Sequence, residues 1–232
     1  MKVLSAFQAR IDLTAFEFFS ELAVQCVIAS GDVARPFPEP TPFYALLEFE
    51  ALSPAIEEQA MQVFEECMEQ GWVLNGVMSQ NETQAQNLWR LREDISETIA
   101  KYTPYKNDIS VLITHVPAFI ADIDAIVTAN YPDFDIVWFG HIGDGNLHLN
   151  ILKPANLSKD EFFAKCQVVN KSVFETVQKY NGSISAEHGV GMTKKPYLEY
   201  SRSPEEIAYL QAIKLAFDPN NIINRGKIFD VK

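Results

Sequence analysis

The sequence has few cysteines and no long apolar run. Its 3 cysteines, Cys26, Cys67 and Cys166, are far apart and have no paired spacing. This excludes a disulfide framework and favours reduced thiols, none of which is a candidate nucleophile. The N-terminal segment "MKVLSAFQARIDLTAFEFF" has only a short apolar run with early acids, unlike a signal peptide or a spanning helix. We therefore expect a cytoplasmic protein that does not span a membrane.

Basic residues are also scarce. The 232 residues include 19 Lys and Arg against 31 Asp and Glu, which gives a formal net charge of -12. Such a charge repels a phosphate backbone, so nucleic acid is excluded as a partner. Hydrophobic residues make up 47% of the chain, enough to bury a core in one large or two small domains.

Helices alternate with strands along the chain. The apolar spacing predicts helices over 14–30, 53–71, 81–102, 114–131 and 158–182, and strands over 43–51, 72–78, 108–113 and 134–141. Four prolines in "RPFPEPTP" predict a loop between the first helix and the first strand. Crossing helices and one tight hairpin predict an α+β fold, with helices packed against a largely antiparallel sheet.

The segment "WFGHIGDGNLHLNILKP" carries two of the 4 histidines, His141 and His148. If Asp144-Gly145 forms a two-residue hairpin loop, His141 faces His148, with β-carbons about 4.5 to 5.5 Å apart. Asn150, two residues along the strand, then shares their face. Two neutral imidazoles that converge in this way can bind Zn²⁺ or another divalent transition metal.

The hairpin alone leaves a second interpretation open. Two histidines in a sheet can instead be satisfied by backbone carbonyls. A phosphate-binding loop is excluded, because "GHIGDG" is followed by the strand "NLHLNIL" and not by a helix N-terminus.

A second candidate segment, "SISAEHGVGMTKKPYL", places Glu187 beside His188, ahead of two glycines. Open zinc sites commonly use two histidines and one carboxylate, so Glu187 would complete a set with His141 and His148. Adjacent side chains of an extended segment point in opposite directions. Both Glu187 and His188 can therefore reach one centre only if the chain bends between them.

Several motifs together resemble a known family. "GHIGDGNLHLNI", "SAEHGVGMTKKPYL" and "FDPNNIINRGKIF", with the shorter "LWRLRED" and "YKNDIS", resemble the C-terminal substrate domain of the FAD-linked D-2-hydroxyacid dehydrogenases. This family, of the vanillyl-alcohol-oxidase type, includes D-2-hydroxyglutarate and D-lactate dehydrogenases and the flavin subunit of glycolate oxidase. The resemblance implies a single substrate- and metal-binding domain over 1–232. FAD would be held mainly by a separate domain that is missing from this chain, and electrons would pass to an unidentified acceptor.

The resemblance also implies roles for individual residues in the oxidation of a D-2-hydroxyacid to a 2-oxoacid. It implies metal binding by His141, His148 and Glu187, base catalysis by His188, substrate binding by Arg92, Lys106 and Asn150, and proximity to flavin for Asn224. Two alternatives stay open. Arg92 and Lys106 could instead be surface cations, and the chain could be a stand-alone, non-catalytic module that binds metal or carboxylates.

The chain departs from the family pattern at three places. Leu112 replaces a proline, His115 replaces a basic residue, and "NRGK" at 224–227 replaces "NPGK". Arg225 in place of the proline of "NPGK" releases φ and restores an N–H. The stiffness of this C-terminal loop, which lies near flavin in the family, is therefore open. His115 leaves the choice of substrate open.

Overall fold

The structure is a computed structural model that describes residues 1–31 and 33–231. Asp32 and Lys232, which belong to the predicted domain, lie outside the described residues. The described helices are α1 (Lys2–Gln8), α2 (Glu21–Ile28), α3 (Pro54–Glu69), α4 (Glu82–Glu93), α5 (Ile95–Ala100), α6 (Val116–Asn130), α7 (Lys159–Lys179) and α8 (Pro204–Phe217). The described strands are β1 (Leu13–Ser20), β2 (Phe43–Phe49), β3 (Tyr105–Ser110), β4 (Ile136–Gly140) and β5 (Asn146–Ile151).

One antiparallel sheet forms the centre of the fold. Its strand order is β2-β1-β4-β5-β3, and each neighbouring pair runs antiparallel. The predicted α+β class is therefore confirmed. Among the described residues, no helix combines the length and the apolar character needed to cross a membrane.

Helices cover both faces of the sheet. On one face, α6 and α7 pack on apolar side chains that alternate along the strands, including Leu147 and Leu149 of β5. On the other face, α2, α4 and α5 pack on Phe19, Val137 and Phe139. The polar residues of β5 point towards this second face, because successive side chains of a strand alternate. The candidate site therefore lies on the side of α4.

The first predicted helix is wrong over its N-terminal half. Residues 14–20 belong to β1, and the helix begins only at Glu21 after the N-cap Ser20. Burial of Phe16, Phe18 and Phe19 on both faces of the sheet removes the polar alternation that marks a half-exposed strand. The predicted helix over 81–102 is present as α4 and α5, with a break at Asp94.

The predicted strand over 72–78 is also wrong. In the described chain these residues form neither helix nor strand, and Trp72, Leu74 and Val77 are exposed. A strand needs a pairing partner, and the described sheet ends at β2 and β3 without including this segment.

The hairpin register differs from the prediction. β4 ends at Gly140, a 3₁₀ turn spans Ile142–Asp144, and β5 begins at Asn146. His148 therefore pairs with Phe139, and the predicted cross-strand pairing with His141 is wrong. The connection is longer than two residues because the turn is closed by bonds from the Asp144 and Asn146 N–H groups to the His141 carbonyl.

Gly145 is required by this turn, and its replacement gives a stability prediction. Its φ is +74°, and a β-carbon at this position would overlap the Val111 carbonyl oxygen. Gly145→Ala should lose roughly 1 to 2 kcal/mol of unfolding free energy from left-handed strain and about 1 to 3 kcal/mol more from overlap. Gly71→Ala is the matched control, because Gly71 has φ +67° and open space around it. Equal losses in urea unfolding would contradict the overlap.

Candidate metal and substrate site

Polar side chains from neighbouring strands share one face of the sheet. His148 pairs with Asp108, and Asn150 pairs with Lys106, so all four project to the side of α4. They line a cavity of about 360 Å³. The same cavity is lined by Arg92, Glu93, Ser96, Asn107, Phe139, His141, Glu187 and His188.

His148 is buried between two carboxylates. Its Nδ1 lies 3.6 Å from Asp108 Oδ1, and its Nε2 lies 3.2 Å from Glu187 Oε1. Burial lowers the pKa of His148 to about 4, although both carboxylates act in the opposite direction. The ring is therefore neutral near pH 7, which is the form that binds a metal.

Asp108 holds the loop that carries Glu187 and His188. Its Oδ2 accepts hydrogen bonds from the Glu187 N–H at 3.1 Å and from the His188 N–H at 2.9 Å. Lys194 Nζ donates to the Asp108 carbonyl at 3.1 Å, and burial lowers the pKa of this lysine. Two bonds to one carboxylate bend the chain between Glu187 and His188. The bend lets both adjacent side chains reach the cavity.

His141 reaches the same cavity from the turn after β4. Its Nδ1 lies 2.7 Å from Glu17 Oε1, and its Nε2 lies 3.9 Å from Glu187 Oε2. The rings of His141 and His148 have centroids 6.0 Å apart. The structure thus brings His141, His148 and Glu187 together, although not through the predicted strand register.

The donor atoms fit a divalent transition metal. Ligands about 2.0 to 2.2 Å from a tetrahedral zinc lie about 3.3 to 3.6 Å from one another. Glu187 lies 3.2 Å from His148 Nε2, 3.7 Å from His188 Nε2 and 3.9 Å from His141 Nε2. Donor atoms of Asp108, His148, Glu187 and His188 also lie within 4.8 Å of one another. His141 is not part of that group and approaches it through Glu187. The two candidate ligand sets, with and without His141, both contain His148 and Glu187.

Asp108 is better placed to orient His148 than to share a metal with it. It faces Nδ1 of the ring, whereas Glu187 faces Nε2. Asp108 Oδ1 is buried and has no hydrogen-bond partner among the described residues, and Oδ2 already accepts two backbone N–H groups. A carboxylate behind the non-ligating nitrogen is the usual support of a metal-binding histidine.

The predicted substrate residues lie at different depths. Arg92 is buried, and its Cζ lies 4.9 Å from the Phe139 ring centroid, which contradicts the surface alternative. Lys106 is exposed and, within the described part of the chain, makes no ion pair. Asn150 is 1% exposed at the cavity wall. Asn224 lies in a C-terminal turn with φ +48° and does not line the cavity.

Sequence reasoning missed three residues that support the site. The apolar spacing predicts a helix at Glu17, the strand prediction places Asp108 only at the start of a strand, and no predicted role falls on Lys194. Asp108 is the cross-strand neighbour of His148, and the sequence pattern does not specify the pairing of β5 with β3 that brings them together. No sequence signal identifies Lys194, because its contact depends on the loop that returns to β3.

Comparisons with known proteins identify relatives. Residues 1–228 match the family of FAD linked oxidases, C-terminal domain. A D-2-hydroxyglutarate dehydrogenase of Stutzerimonas stutzeri (strain A1501) is 69% identical over 99% of this chain and 49% of its own length. A D-2-hydroxyglutarate dehydrogenase of Xanthomonas citri pv. viticola is 53% identical over 99% of the chain and 48% of its length. The chain thus spans about half the length of these relatives.

A solved structure shares the fold. A 4-ethylphenol oxidase from Gulosibacter chungangensis, in complex with isoeugenol, aligns with a TM-score of 0.65. The alignment covers 99% of this chain and 51% of the oxidase at 12% identity, so the likeness concerns the fold alone. With the match over residues 1–228, the chain belongs to the family of FAD linked oxidases, C-terminal domain.

Proposed function

We propose that this chain is the metal- and substrate-binding half of an FAD-dependent enzyme that oxidises a D-2-hydroxyacid to a 2-oxoacid. The observation that carries the proposal is the convergence of His141, His148, Glu187 and His188 with two cations on one cavity. Relatives named D-2-hydroxyglutarate dehydrogenase, at 69% and 53% identity, favour D-2-hydroxyglutarate over lactate or glycolate.

In this proposal His141, His148 and Glu187 hold a divalent metal, with zinc the best match to two imidazoles and a carboxylate. When bound, such a metal would lower the pKa of a substrate hydroxyl, and a bound FAD would supply the acceptor for the α-hydrogen. His188, on the cavity wall, takes the hydroxyl proton at Nε2. The acceptor that reoxidises the flavin is unassigned.

Substrate carboxylates would be bound by the two cations. A guanidinium can bind a carboxylate through two parallel N–H groups, and an ammonium adds a second point charge. The Arg92 Nε–H is bonded to Glu17 at 2.8 Å, which leaves terminal N–H groups for the substrate. Lys106 lies across the cavity next to Asn150, whose amide would bond the substrate.

His188 favours the enzyme over the stand-alone binding module. Its side chain is 58% exposed, and its ring stacks on His148 with centroids 5.7 Å apart. A proton acceptor beside the metal ligands serves the reaction, whereas a module that only binds metal or carboxylates has no use for one.

The C-terminal helix supports a partner domain that holds FAD. All 14 residues of α8 are described, and none of them is buried. Tyr209, Ile213 and Phe217 are exposed on α8, and Ile222 and Ile223 follow beyond its end. An apolar surface of this kind marks an interaction site. We assign it to the FAD-binding domain, with Asn224 at the same end of the chain.

Cytoplasmic localisation rests on the three buried free cysteines.

Substrate binding tests the proposal. In the zinc-loaded chain, Arg92→Ala or Lys106→Ala should weaken binding of D-2-hydroxyglutarate by roughly tenfold to a hundredfold, because a charged hydrogen bond contributes about 1.5 to 3 kcal/mol. Isothermal titration calorimetry measures this, and Lys171→Ala on α7 is the control, since Lys171 is exposed beside Glu175. Equal affinity in all variants, or no preference for the D over the L enantiomer, would contradict the proposed substrate site.

A further inference from the structure

Glu17 is a buried carboxylate on a strand next to the edge strand β2. It lies in β1 and is only 4% exposed. Its Oε1 is 2.7 Å from His141 Nδ1, and its Oε2 is 2.8 Å from Arg92 Nε. Each oxygen therefore meets one nitrogen, and the two nitrogens belong to a candidate metal ligand and to a candidate substrate-binding residue.

The contact with Glu17 determines where His141 carries its proton. A carboxylate only accepts hydrogen bonds, so the Nδ1 that faces it must carry the hydrogen. The neutral ring then has a free lone pair on Nε2. Arg92 Nη2, which only donates, lies 3.5 Å from that Nε2, as expected for an unprotonated nitrogen. Nε2 is also the atom that faces Glu187.

We propose that Glu17 is a positioning residue that fixes the Nδ1–H tautomer of His141 and holds Arg92, and so joins the metal ligands to the substrate cation. The effect of this tautomer on metal binding rests on the proposed function, because the free Nε2 lone pair has a role only if His141 binds the metal. A carboxylate behind the ligand raises its basicity and sets its orientation.

Glu17→Gln tests the tautomer with little change of shape. A glutamine offers one carbonyl oxygen and one NH₂ group to the same two partners. The Arg92 Nε–H can only donate, so the oxygen is kept by Arg92 and the NH₂ faces His141. His141 can accept from this NH₂ only if its proton moves to Nε2, which removes the lone pair needed by a metal.

The measurement is the tautomer of His141 in the chain without metal or substrate. Long-range ¹H–¹⁵N spectra at about pH 8, where an ordinary histidine is neutral, distinguish the two ring nitrogens. Signals of His141 are assigned by their loss in H141Q. We expect Nδ1–H in the unchanged chain and Nε2–H in E17Q. The zinc affinity of E17Q should fall by about 10- to 100-fold, measured by competition with a chromogenic chelator.

Glu48→Gln is the matched control. Glu48 lies on the neighbouring strand β2, and its two oxygens also accept one donor each, from Thr14 and Trp89. It does not line the cavity. E48Q should leave both the His141 tautomer and the zinc affinity unchanged.

Each outcome separates the tautomer from the proposed function. An Nε2–H ring in the unchanged chain would overturn the proposal without any variant, and an Nδ1–H ring in folded E17Q would overturn it as well. A changed tautomer with unchanged zinc affinity would show that Glu17 determines the tautomer, and it would exclude His141 as a metal ligand. Failure of zinc or substrate binding in the unchanged chain would count against the proposed function and leave the tautomer result readable.

Discussion

Zinc affinity should fall more than a hundredfold when Glu187 is replaced by Gln. Glu187 faces both histidines, with Oε1 3.2 Å from His148 and Oε2 3.9 Å from His141. Loss of a group that only orients a ligand already costs about 10- to 100-fold in metal affinity, and here a charged ligand itself becomes a neutral amide. The shape of the side chain is retained, so the fold should not change.

Chelator competition on the purified chain measures this effect. Glu93→Gln is the matched control, because Glu93 lines the same cavity without an ion pair to the histidines among the described residues. Equal zinc affinity in E187Q and E93Q would remove Glu187 from the ligand set.

His141→Ala then separates the two candidate ligand sets. It should release zinc if the set is His141, His148 and Glu187, and retain zinc if the set uses Asp108 and His188 instead.

Much of the helical layer could be predicted from the sequence. The helices α3, α6 and α7 are exposed to solvent on one side and buried on the other, so their apolar residues recur at helical spacing. The N-cap Ser158 of α7 forms a capping box with Glu161, a local contact that a sequence pattern can indicate.

The errors fall where burial or pairing is not local. β1 is buried on both faces, on one of them by α6 and α7, which are far away in sequence, so its apolar run is indistinguishable from a helix. The segment over 72–78 has the composition of a strand but no partner in the described sheet. Register also depends on the turn geometry, and Gly145 permits a longer connection than the predicted two-residue loop.

The residues of the candidate site could be predicted from the sequence, but the carboxylates that orient them could not. His141, His148, Glu187 and His188 stand in two short motifs, and all four line one cavity. Their orientation depends on Glu17 and Asp108, which lie 124 and 40 residues from the histidines that they contact. Contacts over such separations follow from strand order, which the sequence pattern did not specify.

His188→Gln should reduce turnover of a D-2-hydroxyacid by about 10²- to 10⁴-fold, the usual contribution of a positioned acid or base. Its Nε2 lies 3.7 Å from Glu187 Oε1, and its Nδ1 lies 3.6 Å from Asp108 Oδ2. A glutamine keeps the polarity of the side chain and cannot accept the hydroxyl proton. Turnover is measured with an artificial dye in the enzyme that carries FAD together with this chain.

The same variant separates a base from a metal ligand, because His188 belongs to one of the two possible ligand sets. If His188 acts only as the base, H188Q should keep its zinc and bind D-2-hydroxyglutarate with nearly unchanged affinity. In that case kcat falls while the dissociation constant of the substrate stays the same. Joint loss of zinc and turnover would instead make His188 a ligand. Unchanged kcat would exclude both roles, and the proton would then have to leave through another group of the cavity.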